Sequence, residues 1–214
     1  MSAGTRSTRR EKQAQTRRAL LDAAAQLFGE HGLEGTSVDR IATAAGYTKG
    51  AFYANFAAKE ELFLVMLEER FARELERLER ELAGQGDPRA EAIAAAADFI
   101  HFAGDGEWPR LYFQFAAHAA RDEAFRHELS RRQQVMRERL RAIFARWAGK
   151  LGAEPPLPIP DITAMVYFMA DGFLFDRMIE PELPAELYGT MVSVFLLGLQ
   201  ALAAERDAGR PSTP

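Results

Sequence analysis

Residues 36–56 read TSVDRIATAAGYTKGAFYANF, and this stretch contains the clearest structural pattern in the chain. Each half of it carries apolar residues at helical spacing: Val38, Ile41, Ala42 and Ala45 in the first half, Phe52 and Phe56 in the second. Gly46 lies between the halves, where a tight turn favours a residue that tolerates positive φ. Thr36 and Thr48 can each cap the start of a helix with the side-chain oxygen. The stretch therefore predicts two short helices joined by a tight turn.

The second of these helices has about seven residues, or roughly 10 Å, which suits the major groove of DNA. Its residues away from the apolar stripe are Lys49, Gly50, Tyr53 and Asn55. Lys59 follows at the start of the next helix, where free backbone amides favour a phosphate. A helical hairpin inside a bundle would explain the apolar spacing equally well, but it would not explain this polar set. The pattern favours a DNA-binding helix-turn-helix.

Charge is distributed unevenly between the two ends of the 214-residue chain. Residues 1–60 carry nine Lys/Arg against six Asp/Glu, whereas residues 61–214 carry 18 against 25. An acidic body with one basic end is typical of a module that meets a polyanion at that end. A solvated, disordered basic tail would give the same composition.

The remainder of the chain predicts an all-α protein with about nine helices. Its ten prolines begin at Pro88, and the stretches between them show helical spacing without convincing period-two alternation. Thr8 and Glu11 fit a capping box at the start of the first helix, and Asp161 can cap the helix after the irregular segment 151–160.

Composition excludes several functional classes. The chain has no cysteine, which excludes disulfide frameworks, thiolate nucleophiles and Cys-rich zinc sites.

The longest apolar stretches, 162–170 and 191–199, are about half as long as the ~18 residues that a membrane span requires. The N-terminus is basic, but it is not followed by the apolar segment that a secretory signal contains. We therefore expect a cytoplasmic protein without a membrane partner.

The N-terminal sequence also resembles the TetR-type (TetR/AcrR) transcriptional regulators over about 60 residues. The resemblance is specific because it fixes identities at many positions: Arg17, Leu20-Leu21-Asp22-Ala23-Ala24, Leu27-Phe28, Gly32, Thr36-Ser37-Val38, Ile41-Ala42, Ala45-Gly46, Thr48-Lys49-Gly50, Phe52-Tyr53, Phe56 and Lys59-Glu60-Glu61-Leu62. It implies a three-helix DNA-binding domain, a helical ligand-binding domain, and a homodimer that leaves its double-stranded operator when a small molecule binds. The function implied is a ligand-responsive regulator, most often a repressor, without a cofactor.

The resemblance also implies roles for particular residues. Thr48, Lys49 and Gly50 would face the groove, and Tyr53 and Lys59 would contact phosphates. The full predicted DNA-binding set is Arg17, Thr36, Ser37, Thr48, Lys49, Gly50, Tyr53, Asn55 and Lys59. The chain departs from the family at Tyr47 and Asn55, and Ala57-Ala58 replaces the usual cap before Lys59. No operator sequence can therefore be carried over.

These features predict four regions along the chain. Residues 1–12 form a basic arm, and 13–73 form the DNA-binding domain with its helix-turn-helix at 37–56. Residues 74–207 form the ligand-binding and dimerisation domain, and 208–214 form a disordered tail.

Aromatic residues and methionine are abundant beyond residue 90, and their number predicts an apolar pocket for a small apolar or aromatic inducer, although core packing is the default reading of each. The predicted ligand contacts are Phe99, Phe102, Trp108, Tyr112, His118, Tyr167, Asp171 and Phe173. The last two predicted helices, 161–178 and 185–205, would form the dimer interface. Its predicted residues recur at helical spacing: Met191, Val194, Phe195, Gly198, Leu199 and Leu202.

Two rival classes are weaker. An enzyme would need a catalytic motif, and the sequence shows no Gly-x-Ser-x-Gly, phosphate loop or dinucleotide fingerprint. Glu123 and His127 could be half of a metal site, but no second half is evident. The alternating Glu and Arg residues at 68–81 would favour a purely structural helical protein. Ordinary i,i+4 ion pairing on a solvent-exposed helix face explains the same pattern. We therefore expect neither catalysis nor a bound metal.

Overall fold

The computed structural model describes residues 8–104, 106–151 and 154–208, apart from the side chains at 102, 103 and 207. Over these residues the chain forms nine α-helices and no strand, which confirms the all-α prediction. They are α1 (Arg9–His31), α2 (Val38–Ala44), α3 (Lys49–Tyr53), α4 (Lys59–Glu81), α5 (Pro88–Ala103), α6 (Trp108–Ala119), α7 (Glu123–Gly149), α8 (Ile159–Ile179) and α9 (Glu186–Ala208).

The described residues fall into two compact units. The N-terminal unit contains residues up to 70 together with Leu111–Leu129, and the C-terminal unit contains Phe71–Arg110 and the residues from 130 onward. Along the sequence, α4, α6 and α7 each begin in one unit and end in the other. Most of α6 therefore belongs with the helix-turn-helix, which the sequence did not indicate.

The N-terminal unit is built around a closely packed aromatic and aliphatic core. The side chains of Leu20, Ile41, Phe52 and Phe63 have no exposed surface, and Phe115 of α6 is equally buried. The rings of Phe28 and Phe115 meet edge to face with centroids 5.5 Å apart. The predicted capping box at the start of α1 is present, with the Glu11 amide donating to Thr8 Oγ1 at 3.2 Å.

In the C-terminal unit α5 packs along α9, and the buried apolar residues form two clusters. Trp147 Nε1 donates to the carbonyl of Pro88 at 2.9 Å, which joins α7 to the start of α5. The prediction that Asp161 caps α8 is wrong. The N-cap position is occupied by Pro158, three residues earlier, and Pro160 in the first turn presets a φ that suits a helix.

Candidate nucleic-acid interface and ligand cavity

The residues at 37–56 form the predicted helix-turn-helix through local hydrogen bonds. Ser37 Oγ accepts from the Arg40 amide at 3.3 Å and caps α2. Gly46 makes the turn with a φ of +76°, a backbone conformation that other residues rarely adopt. Thr48 Oγ1 accepts from the Ala51 amide at 3.2 Å and caps α3, as expected. At five residues, α3 is shorter than the seven expected.

The exposed side of α3 brings together four of the predicted DNA-binding residues. Thr48, Lys49 and Gly50 are exposed at its N-terminal end, and the Tyr53 side chain follows one turn later with 53% of its surface exposed. Lys49 Nζ lies 2.9 Å from Asp39 Oδ2 of α2. This hydrogen bond and the Asp39 charge raise the pKa of Lys49 above its usual value, so its ammonium stays charged. A cation, a hydroxyl, a phenol and bare backbone therefore share one accessible surface, which we call the α3 surface.

Thr36 does not belong to the α3 surface, and this corrects the sequence prediction. Its side chain is 1% exposed, and Oγ1 donates to the carbonyls of Gly32 at 2.8 Å and Leu27 at 3.1 Å. Ser37, exposed and next in the chain, takes the capping role expected of Thr36. Thr36 therefore holds the loop between α1 and α2 and is too buried to reach a phosphate.

Lys59 also serves the frame of the helix-turn-helix. Its ammonium donates to the carbonyl of Leu33 at 2.8 Å and to that of Thr36 at 3.1 Å. With two donors used on the α1–α2 loop and the side chain half-buried, the ammonium is not free to meet a phosphate as the resemblance implied.

Arg17 and Asn55 hold the C-terminal end of α3 through hydrogen bonds to backbone carbonyls, as Lys59 holds the α1–α2 loop. The Arg17 guanidinium donates to the Asn55 carbonyl at 2.9 Å and stacks 4.2 Å above the centroid of the Phe56 ring. Asn55 Nδ2 donates to the Ala51 carbonyl at 2.8 Å. Both side chains are half-buried. They position α3 from behind and do not present a polar group for base contact.

Two framing residues were missed by the sequence analysis. Glu61 Oε2 accepts from the Ala57 amide at 2.5 Å, which replaces the cap that Ala57-Ala58 lack. Gln114 Oε1 of α6 accepts from the Leu33 amide at 3.1 Å. A Cβ on Gly32 would lie 2.8 Å from that oxygen and would displace the end of the Gln114 side chain, and the φ of +68° at this position itself favours glycine. The Glu61 cap had a local signal, whereas Gln114 lies 81 residues from Leu33 and had none.

The C-terminal unit contains an apolar cavity of about 100 Å³ lined by Phe99 and Tyr167 of the predicted ligand set, among other residues. Trp108, Asp171 and Phe173 belong to this unit but lie outside the lining. Tyr112 and His118 belong to the N-terminal unit. The Phe102 side chain lies outside the described residues.

Asp171 is not part of the cavity lining but forms a hydrogen bond with one of the lining residues, Tyr167. The Tyr167 hydroxyl donates to the Asp171 carboxylate, and Arg137 contributes a favourable charge. Burial nevertheless raises the pKa of Asp171 to about 6, because the charged form is poorly solvated there. The carboxylate thus orients a lining side chain from outside the cavity.

The predicted dimer residues divide between the two sides of α9. Val194, Gly198 and Leu202 are exposed. Met191 packs into the core, Phe195 lines the apolar cavity, and Leu199 lines a second cavity beside it. Helical spacing alone does not separate these two sides, because apolar residues lie around most of the circumference of α9.

Comparison with known proteins identifies both parts of the chain. Residues 20–66 match the family described as bacterial regulatory proteins, tetR family, and residues 101–201 match the family described as BetI-type transcriptional repressor, C-terminal. The HTH-type transcriptional repressor AcnR of Corynebacterium efficiens is 26% identical over 77% of this chain and 82% of its own length.

Solved structures show the same fold. A TetR-family regulator from Mesorhizobium loti superposes with a TM-score of 0.70 at 20% identity, covering 92% of this chain and 98% of that one. The regulator FadR of Bacillus subtilis, solved in complex with stearoyl-CoA, superposes with a TM-score of 0.67 at 16% identity, covering 87% and 97%. The chain belongs to the TetR family and is a DNA-binding transcriptional regulator, not an enzyme.

Proposed function

We propose that this protein is a homodimeric repressor that binds a double-stranded operator through the α3 surface and is released by a small apolar molecule. The observation that carries the proposal is the exposed set Thr48, Lys49, Gly50 and Tyr53 on a helix whose frame is fixed from behind. Of the predicted set, these four and the exposed Ser37 are our proposed DNA contacts. Repression is supported by the repressor name of the Corynebacterium relative.

The proposed division of labour follows the sequence prediction. Residues 13–73 contain the DNA-binding domain, with 111–129 packed on it, and 74–207 bind the ligand and form the dimer. The basic arm and the C-terminal tail fall mostly outside the described residues. The site of action is the cytoplasm, in keeping with a family of regulators that act on DNA.

The dimer interface we propose is a pair of apolar stripes that α8 and α9 leave exposed. Large apolar side chains recur along both helices: Met165, Phe168, Phe175 and Ile179 on α8, and Leu187, Val194, Leu197 and Leu202 on α9. A patch of this extent favours a protein partner. Two copies of each helix would form an isologous four-helix interface and place two α3 helices roughly 34–36 Å apart on DNA.

The residues Glu186–Arg206 of α9 are long and apolar enough to cross a membrane, and few of them are buried. The same helix packs along α5, as a core helix of a helical bundle does. The dimer accounts for its exposed apolar side without a bilayer.

The apolar cavity supports a ligand that favours the conformation with low DNA affinity. A ligand of equal affinity for both conformations would shift nothing. One structural neighbour was solved with stearoyl-CoA, which fits a ligand with a large apolar part.

Selection of bound duplexes from a random pool tests the DNA assignment directly. We expect the purified chain to enrich a pseudo-palindromic site whose half-sites are one helical turn apart. Fluorescence anisotropy on that site would then screen apolar compounds for release. Recovery of sequences no different from the input pool would contradict specific DNA binding, and an operator complex that no compound in the screen weakened would count against induction.

A further inference from the structure

Two apolar cavities lie side by side in the C-terminal unit. The first is the cavity of about 100 Å³ described above, and the second, of about 120 Å³, lies among α7, α8 and α9. Both linings contain the same four side chains: Phe144, Trp147, Ile162 and Leu196. One layer of side chains therefore separates the two cavities.

This layer has a fixed part and a movable part. Trp147 and Ile162 are 8% and 7% exposed, and the Trp147 indole is held by its hydrogen bond to Pro88. Phe144 and Leu196 are only partly buried and have no polar atom in the side chain. Rotation of Phe144 can therefore join the cavities without breaking a hydrogen bond.

The sizes of the cavities constrain the shape of a ligand. A cavity of about 150 Å³ just holds benzene, and sites for drug-sized ligands run from about 300 Å³. Neither cavity alone reaches either volume. A ligand that fills both cavities must pass through the side-chain layer between them, which suits a flexible unbranched chain better than a fused ring system.

The second cavity carries a cation at its exposed edge. The Arg89 side chain lines it and is exposed, and the Gln200 amide, when turned with its oxygen towards the guanidinium, accepts from Arg89 Nε at 2.5 Å and Nη2 at 3.0 Å. Among the described residues no carboxylate lies within ion-pair distance of that guanidinium. Glu154 also lines the cavity, but its carboxylate faces Arg206 at 3.8 Å. The Arg89 guanidinium therefore has a neutral amide as its partner, and its charge is available to pair with an anion.

We propose that the two cavities are halves of one channel whose ligand is an unbranched aliphatic carboxylate. Its chain crosses the Phe144 layer into the first cavity, and its head group meets Arg89 and Gln200. The proposal rests on the ligand-responsive function above and names its ligand class. Each added methylene strengthens binding about fourfold until the channel is full.

Isothermal titration calorimetry on the full chain tests this with n-alkyl carboxylates of six to twelve carbons and the matching 1-alkanols. We expect affinity to rise with chain length, and each carboxylate to bind about tenfold tighter than its alkanol. Arg89→Met removes that preference, whereas Arg89→Lys keeps it. Arg126→Met changes an exposed arginine of the N-terminal unit and leaves both series unaltered.

A second variant tests the channel itself. Ala203 lines the second cavity and not the first, and it is half-buried, so Ala203→Phe narrows the channel without disturbing the core. The rise of affinity with chain length then stops at a shorter chain. A longer chain that binds this variant as well as it binds the parent would overturn the channel.

Further outcomes separate this proposal from the proposed function. Absence of carboxylate binding overturns the channel, even where a compact aromatic compound releases DNA and the proposed function stands. If carboxylates and alkanols bind the parent with equal affinity, and Arg89→Met changes neither, the head-group assignment is overturned. Carboxylates that bind as expected but leave the operator complex intact support the channel and count against induction through it.

Discussion

The two units of this regulator use helices in opposite ways. In the N-terminal unit the framing side chains Thr36, Lys59 and Gln114 each hydrogen-bond to a backbone group of the α1–α2 loop. In the C-terminal unit two apolar clusters make up most of the interior, with Glu74 and Thr163 also buried, and partly buried apolar side chains such as Phe144 border two cavities. Directional hydrogen bonds fix one arrangement, whereas non-directional apolar contacts tolerate several.

This difference matches what each unit has to do. A surface that reads DNA must hold its groups in one geometry, because base contacts lose their discrimination when they are displaced. A ligand site must change on binding, and small rearrangements of apolar side chains cost little when no hydrogen bond is lost. Leu33 is held at both of its backbone groups, since its amide donates to Gln114 of α6 and its carbonyl accepts from Lys59 of α4.

The largest effect we expect comes from the exposed stripes of the C-terminal unit. Phe168→Arg combined with Val194→Arg places charge on two side chains that are each 64% exposed. Burial of unpaired charge in the interface would prevent dimerisation, and loss of the second α3 helix lowers specific DNA affinity on the order of a thousandfold. Sedimentation equilibrium should show the 23.9 kDa monomer.

A matched control separates charge from position. Val135 of α7 is 65% exposed, so Val135→Arg adds the same charge away from the stripes and should remain dimeric. Persistence of the dimer in the double variant, with helicity unchanged, would contradict the interface.

The sequence predicted the N-terminal unit better than the C-terminal one for a physical reason. The turn at Gly46 and the caps at Thr8 and Thr48 are local, so residues a few positions apart contain the whole interaction. The fold class and the helix-turn-helix followed from such signals, whereas membership of the TetR family was predicted from the resemblance in residue identities.

Interactions between distant residues escaped the same reasoning. Lys59 resembled a phosphate contact because its two carbonyl partners lie 23 and 26 residues away. On α9, Val194 and Phe195 are equally apolar, and only the packing of α5 along that helix decides which of them faces solvent. Periodicity identifies a face only where the opposite face is polar.

A comparison of two lysines sharpens the contrast between DNA contact and framing. Lys49→Met removes an exposed cation, so we expect DNA affinity to fall roughly tenfold and the slope of log K against log[salt] to become shallower by about 1 per subunit. Lys59→Met instead leaves the Leu33 and Thr36 carbonyls without their donor. It lowers the free energy of unfolding by about 2 kcal/mol and weakens DNA binding without changing the salt slope.

Anisotropy titrations at several salt concentrations and urea unfolding measure both quantities. Lys12→Met, at an exposed position of α1, serves as the control for loss of a distant lysine. A shallower salt slope in Lys59→Met, with stability unchanged, would return that residue to the DNA contacts.

The last comparison concerns Asp171, where the C-terminal unit retains a partly buried carboxylate at a cost in stability. Burial raises its pKa to about 6, whereas the unfolded chain ionises it near its ordinary value of 3.8. Between these values the folded state binds more protons, so the contribution of Asp171 to the free energy of unfolding falls as pH rises through about 6. Asp171→Asn cannot ionise, and its amide oxygen can still accept from Tyr167. We therefore expect it to be more stable than the parent by about 3 kcal/mol at pH 7.5 and by about 1 kcal/mol at pH 4.5.

Asp176→Asn, an exposed change on the same helix, serves as the control and should alter stability at neither pH. Urea unfolding midpoints at the two pH values measure all three proteins. A variant less stable than the parent at pH 7.5 would mean that Tyr167 and Arg137 more than offset the burial, and the C-terminal unit would then hold its polar groups as firmly as the N-terminal unit does.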